Sequence, residues 1–159
     1  MTGAGANLLV NGGRVLKQDD YIKAKLVEMA WRFGKRYGGY KAGVLVMHTL
    51  GNRVRVGWGN WLQVLDSVPK FMAENEMPPL EHPALWDPAF VKLLHAVEGV
   101  YDGSIPDESS GALYWCDLGS IERSWFKEKI VDSRKIDSNG CAIPAHMRVH
   151  DMGTLCFWA

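Results

Sequence analysis

Hydrophobic positions recur with a helical period through the first two thirds of the chain and shorten to strand-like runs in the last third. Ile22, Leu26, Met29, Ala30, Phe33 and Tyr37 follow one another at spacings of three and four, which predicts an amphipathic helix. Asp19-Asp20 is placed to cap it near Tyr21, and Gly38-Gly39 to stop it. A second helix is expected from Tyr40 to Val54. Val44-Leu45-Val46-Met47 leaves it apolar nearly all round, the pattern of a central, buried helix. Gly57-Trp58-Gly59-Asn60 interrupts the pattern, and Asn60 can cap a third, shorter helix ending at Leu65 or Val68. Residues 69–86 hold Pro69, Pro78, Pro79 and Pro83 and read as an irregular loop. Asp87-Pro88, a cap followed by a proline in the first helical position, opens a fourth helix that runs to Tyr101.

The turn-rich run from Asp102 to Ser110 ends the helical part. Ala112–Cys116 reads as a strand, and Ser120–Lys127 as a short helix with Ile121 and Trp125 four apart. Asn139-Gly140 is a turn signal, and His146–His150 with Thr154–Trp158 form a hairpin around Asp151-Met152-Gly153. Residues 1–14 are Gly-rich and expected to be a flexible segment ahead of a single domain over 15–159. The fold class is therefore α+β, a helical first half packed on a small antiparallel sheet.

Composition narrows the function classes. The 159 residues suit one domain with a sizeable core. Eighteen basic and eighteen acidic side chains cancel, which argues against a dedicated nucleic-acid binder, because such binding rests on phosphate neutralisation. No apolar run approaches the roughly 18 residues of a membrane span. Met1 to Gly13 lacks a basic n-region with an apolar core behind it, and Leu8-Leu9-Val10 is too short for a signal peptide. The expectation is cytoplasmic synthesis without a signal peptide. Cys116, Cys141 and Cys156 are odd in number and widely spaced, so no disulfide framework is implied. Seven Trp is many for this length; such rings fill cores and also stack on flat ligands and sugar faces.

Few residues suggest chemistry. Glu28 falls roughly opposite the main apolar stripe of the first helix, with Ala24, Val27 and Trp31 around it. A carboxyl ringed by apolar groups is held partly out of water and keeps its proton, as a general acid must. The plainer alternative is an i, i+4 pair with Arg32 on a solvated face. Cys141, His146, His150 and Cys156 have zinc-binding side chains, but strand spacing puts His146 and His150 roughly 13 Å apart, too far to share an ion. No metal site and no cofactor are expected. Lys35-Arg36, Arg53 and Arg55 could meet an anionic polymer or form a solvated face. Ser109-Ser110 has no histidine in a recognisable order, and neither a P-loop nor a dinucleotide fingerprint is present.

Three blocks resemble the SleB-like cell wall hydrolases of the spore-cortex-lytic type. They are Leu26-Val27-Glu28-Met29-Ala30, then Ala42 through Asn52-Arg53-Val54, then Ala96-Val97-Glu98-Gly99 through Gly111-Ala112-Leu113-Tyr114-Trp115. The match covers about residues 20–116, and the third block is the most specific. It departs from the family pattern in about six extra residues within Arg32–Tyr40 and in Cys116-Asp117 after the aromatic pair, where the family often shows His or Asn and Pro. The resemblance implies a lysozyme-like fold and a peptidoglycan lytic transglycosylase or glycoside hydrolase acting at the bacterial cell wall, and the lack of a visible export signal suggests a phage-type lysin. It implies Glu28 as single acid/base, cutting between N-acetylmuramic acid and N-acetylglucosamine. Tyr114, Trp115 and Trp31 would contact the glycan, and Asn52 and Arg53 would brace the helix end. The competing expectations are a peptidoglycan-binding or structural module without turnover, and a zinc-dependent wall amidase or peptidase.

Overall fold

Two helices carry the core of the computed structural model, which describes residues 7–9, 15–37, 39–78, 83, 86–117, 119, 123–131, 148–152 and 155–159. Helix α1 (Gln18–Tyr37) buries Ile22, Leu26, Met29 and Ala30 as its spacing requires, and buries Val27 and Trp31 as well. It is packed on more than one side because α2, α3 and α4 all touch it. Asp19 and Asp20 lie inside its first turn, where their charge favours the helix N-terminus, rather than capping ahead of it. Helix α2 (Tyr40–Arg55) is the buried helix its apolar run predicts, with Leu45, Val46, Met47 and Leu50 inside.

The two helices cross at glycine. A Cβ on Gly43 would stand 3.0 Å from the Ala30 carbonyl oxygen and 2.8 Å from a Leu93 methyl. A side chain is thus excluded at the point where α2 meets both α1 and α4.

Helix α3 (Trp61–Glu74) starts as expected. Asn60 Oδ1 accepts from the Gln63 N–H and Gln63 Oε1 from the Asn60 N–H, each at 2.9 Å, a complete capping box. Its end differs from the sequence expectation: the helix continues through Pro69 for another turn and a half. Proline removes one ladder bond and costs roughly 3 kcal/mol in a helix interior. Burial of Val68 and Met72 on either side of it, and the edge contact of Phe71 with Trp125 at 5.2 Å, hold that last stretch helical. Helix α4 (Pro88–Asp102) is capped by Asp87, whose Oδ1 accepts from the Ala89 and Phe90 N–H groups at 2.9 and 3.2 Å.

The last third holds a three-stranded antiparallel sheet in the order β3-β5-β4, with β3 at Tyr114–Asp117, β4 at Arg148–Met152 and β5 at Leu155–Trp158. Tyr114 pairs with Trp158 and Cys116 with Cys156. The β4–β5 hairpin is present, with an irregularity between Arg148 and His150. Between β3 and β4 lie the one-turn helix α5 (Ser124–Phe126) and a π turn at Lys127–Val131. Within the N-terminal stretch, β1 (Asn7–Leu9) pairs antiparallel with β2 (Val15–Lys17). The Asn139-Gly140 turn signal and Ile121 lie outside the described residues. The molecule is an α+β protein. No described helix is long and apolar enough to cross a membrane.

Candidate ligand-binding cavity

The site is built from the last turn of α2 and the strand that follows sixty residues later. Asn52, 2% exposed, donates to the Ala112 carbonyl at 3.0 Å and to Asp107 Oδ2 at 2.9 Å. The next residue, Arg53, donates from Nε to the Leu113 carbonyl at 2.7 Å. Adjacent side chains of α2 thus grip adjacent carbonyls at the entry to β3. The loop before that entry is ordered by Asp107, which accepts from the backbone N–H groups of Ser109 and Gly111, while Ser109 Oγ accepts from the Ala112 N–H. Burial alone would raise the Asp107 carboxyl; bonds from Ser109 and Asn52 outweigh it and hold the group below the usual carboxylate range. Ser110 and Gly111 both take left-handed backbone conformations, φ 59° and 78°, which turns the chain into the strand.

This grip aims Tyr114 and Trp115 into a cavity of about 520 Å³ at the seam between the helices and the sheet. Phe71 and Met72 of α3 form one wall, and Tyr114 and Trp115 another. The rings interlock: Phe33 meets Trp115 at 5.0 Å and Trp58 meets Tyr114 at 5.2 Å, both edge to face. Cys116, Trp125, Phe126 and Ile130 form a second, smaller apolar cluster, of which Cys116 and Trp125 line the cavity.

Arg53 sits at the centre of the aromatic wall. Its guanidinium carbon lies 4.9 Å from the Trp115 ring, 5.1 Å from Trp58 and 5.4 Å from Tyr114. Burial pushes its pKa down to about 10, against the opposing charge of the Tyr114 phenol. Arg32, 7% exposed, also lines the cavity and lies over Phe33 at 5.7 Å. Its Nε is buried without a hydrogen-bond partner.

The expected site residues are divided by this geometry. Tyr114 and Trp115 line the cavity together. Trp31 does not: it is 3% exposed, in the helical core, with the Lys35 ammonium 4.8 Å from its ring. Glu28 is half-buried and pairs with Lys25 at 3.4 Å, not with Arg32. It stands four residues, about 6 Å along the axis of α1, from Arg32 and is not a lining residue of the cavity. Arg32 turns inward instead of meeting Glu28 on a solvated face. Cys141 and His146 lie outside the described residues; His150 and Cys156 occupy different strands, each directly opposite other residues. Sequence reasoning missed Arg32 and the place of Arg53 on the cavity lining. The signals available were Arg32 beside Phe33 in sequence and Arg53 five residues ahead of Trp58. A search of protein-family models, of curated proteins and of solved structures returns no match to this chain.

Proposed function

We propose that the protein acts on peptidoglycan, seating the glycan strand against Tyr114, Trp115 and Trp58 and cutting it between N-acetylmuramic acid and N-acetylglucosamine. The observation that carries this reading is the joining of the two most informative sequence blocks: Asn52-Arg53 holds Ala112-Leu113, and the Tyr114-Trp115 pair that follows faces a cavity large enough for a saccharide unit. Flat aromatic faces suit the apolar faces of sugar rings. The helical core against a small antiparallel sheet is, on this reading, a lysozyme-like arrangement.

Glu28 is the acid/base of this proposal. As an acid it protonates the glycosidic oxygen of the leaving saccharide. As a carboxylate it then takes the proton of the muramic acid 6-hydroxyl, whose oxygen closes onto C1 to give a 1,6-anhydro product. No second carboxylate is required, because the attacking group belongs to the substrate. A strand lying across the cavity would need to extend about 6 Å along α1 past Arg32 to reach Glu28.

One observation favours a second reading, binding without turnover: Glu28 is ion-paired with Lys25 and does not line the cavity. The two readings separate in one experiment. Purified protein is incubated with peptidoglycan, and soluble products are measured by mass spectrometry alongside sedimentation binding. The lytic reading expects 1,6-anhydro-muramic products from the native protein and none from Glu28→Gln, with binding retained by both. Reducing-end muramic acid means hydrolysis. Binding with no release by the native protein leaves the binding module, and no binding by either protein removes both readings.

A further inference from the structure

The aromatic cavity is lined by four cations, Arg32, Arg53, Arg123 and Lys129, against one carboxylate, Asp117. Among the described residues no carboxylate pairs with Arg53, whose partners are one backbone carbonyl and three ring faces. Arg32 is more than nine-tenths buried at the same cavity, with its Nε unpaired. Arg32 is buried with its Nε unpaired and Arg53 is half-buried without a carboxylate on it, and cations partly withdrawn from water without a counter-charge favour a bound anion. The two are linked by contact: Arg32 lies over Phe33, Phe33 packs on Trp115, and Trp115 stacks with Arg53.

We infer that the cavity selects a carboxylate on its ligand, held by the guanidinium groups of Arg53 and Arg32 while the aromatic walls hold the ligand's uncharged body. Three ring faces and the Leu113 carbonyl surround the Arg53 guanidinium, and a guanidinium's N–H fork suits a planar, two-oxygen acceptor. The walls are mostly apolar, which favours a monoanion over a phosphate dianion, because the latter loses more hydration on entry. This rests on the cavity being the saccharide site proposed above. In a peptidoglycan strand the group would be the carboxylate borne by muramic acid, or that of its peptide, and N-acetylglucosamine alone would lack it.

Isothermal titration calorimetry tests this on the intact chain with three probes. They are an N-acetylglucosamine–N-acetylmuramic acid disaccharide, its carboxyl methylamide, and a sugar-free carboxylate, N-acetyl-alanyl-alanine. The acid disaccharide should bind at least about tenfold more tightly than the amide, by an amount that shrinks with added salt. Arg53→Gln should bring the acid-to-amide ratio close to one, whatever it does to the affinity for the amide itself. If that variant fails to fold, the acid-to-amide ratio of the native chain and Arg32→Gln decide the matter. Equal affinity for acid and amide overturns the inference and leaves the glycan reading standing. Binding of the sugar-free carboxylate, abolished by Arg53→Gln, with neither disaccharide bound, keeps the anion site and removes the glycan reading. No binding of any probe removes both.

Discussion

Asn52 shows how much one side chain can organise. Its amide donates to the Ala112 carbonyl and to Asp107, and its oxygen accepts from Arg55 at 2.9 Å. Replacing it with alanine leaves a buried carbonyl and a carboxylate oxygen short of a donor, and unmade bonds of this kind cost about 1–3 kcal/mol. Asn52→Ala should therefore lower stability by about 2–3 kcal/mol in urea unfolding. It should also loosen the entry to β3, raising hydrogen exchange at Ser109, Gly111 and Ala112, whose N–H groups bond within that loop. Unchanged exchange there would mean that Arg53 alone holds the strand.

Among the elements, the crossing of α1, α2 and α4 is the most constrained. Gly43→Ala places a methyl against the Ala30 carbonyl and the Leu93 side chain. Leu93 can rotate away, but the α1 backbone cannot without moving the helix. Overpacking of this sort costs about 1–3 kcal/mol, and thermal denaturation should report a loss in that range. An equal or raised melting temperature would show that the helices can slide apart at no cost. The elements also mark the limits of local reading. Helix α4 was legible from Asp87-Pro88, and the structure ends it at Gly103 in a left-handed conformation. Helix α3 was legible only at its start. Pro69 is a true local signal for an ending, and the burial of Val68 and Met72 overrode it.

For the whole molecule, the response to acid involves, among the described residues, the buried His48 and the carboxyls of Asp87, Asp102 and Asp107, which are held below their usual range. Burial lowers the His48 pKa below 6.5, assisted by Arg55 and opposed by Asp107 and Glu108. A histidine kept neutral by folding contributes stability that is complete above its unfolded pKa and lost as pH falls through the folded one. Asp107 and Asp87 are both held below the usual carboxylate range, Asp87 first by the Phe90 N–H at the α4 N-terminus. Their contribution is complete above about pH 4 and is lost as pH falls further. Melting temperature should thus drop in two steps, one beginning below about pH 6.5 and one below about pH 4. His48→Gln should remove the first and keep the second. A flat profile between pH 7 and 5 in the native protein would contradict the burial of a neutral imidazole.

Much of this architecture was readable in order along the chain. The period of apolar residues marks which face of a segment avoids water, and capping residues mark where a helix starts. Those signals placed α1, α2, α4 and the β4–β5 hairpin, and with them the α+β class. Tyr114 and Trp115 were singled out by the resemblance of the Gly111–Trp115 block rather than by those signals. The neighbours of a face are another matter. Nothing local says that Asn52 and Arg53 will meet Ala112 and Leu113, that Arg32 will turn inward while Glu28 turns to Lys25, or that Trp31 will vanish into the core. Those outcomes depend on how helices and sheet pack together across sixty or more residues. Only that packing brings two guanidinium groups to one aromatic cavity, because the residues that meet there lie far apart in the chain.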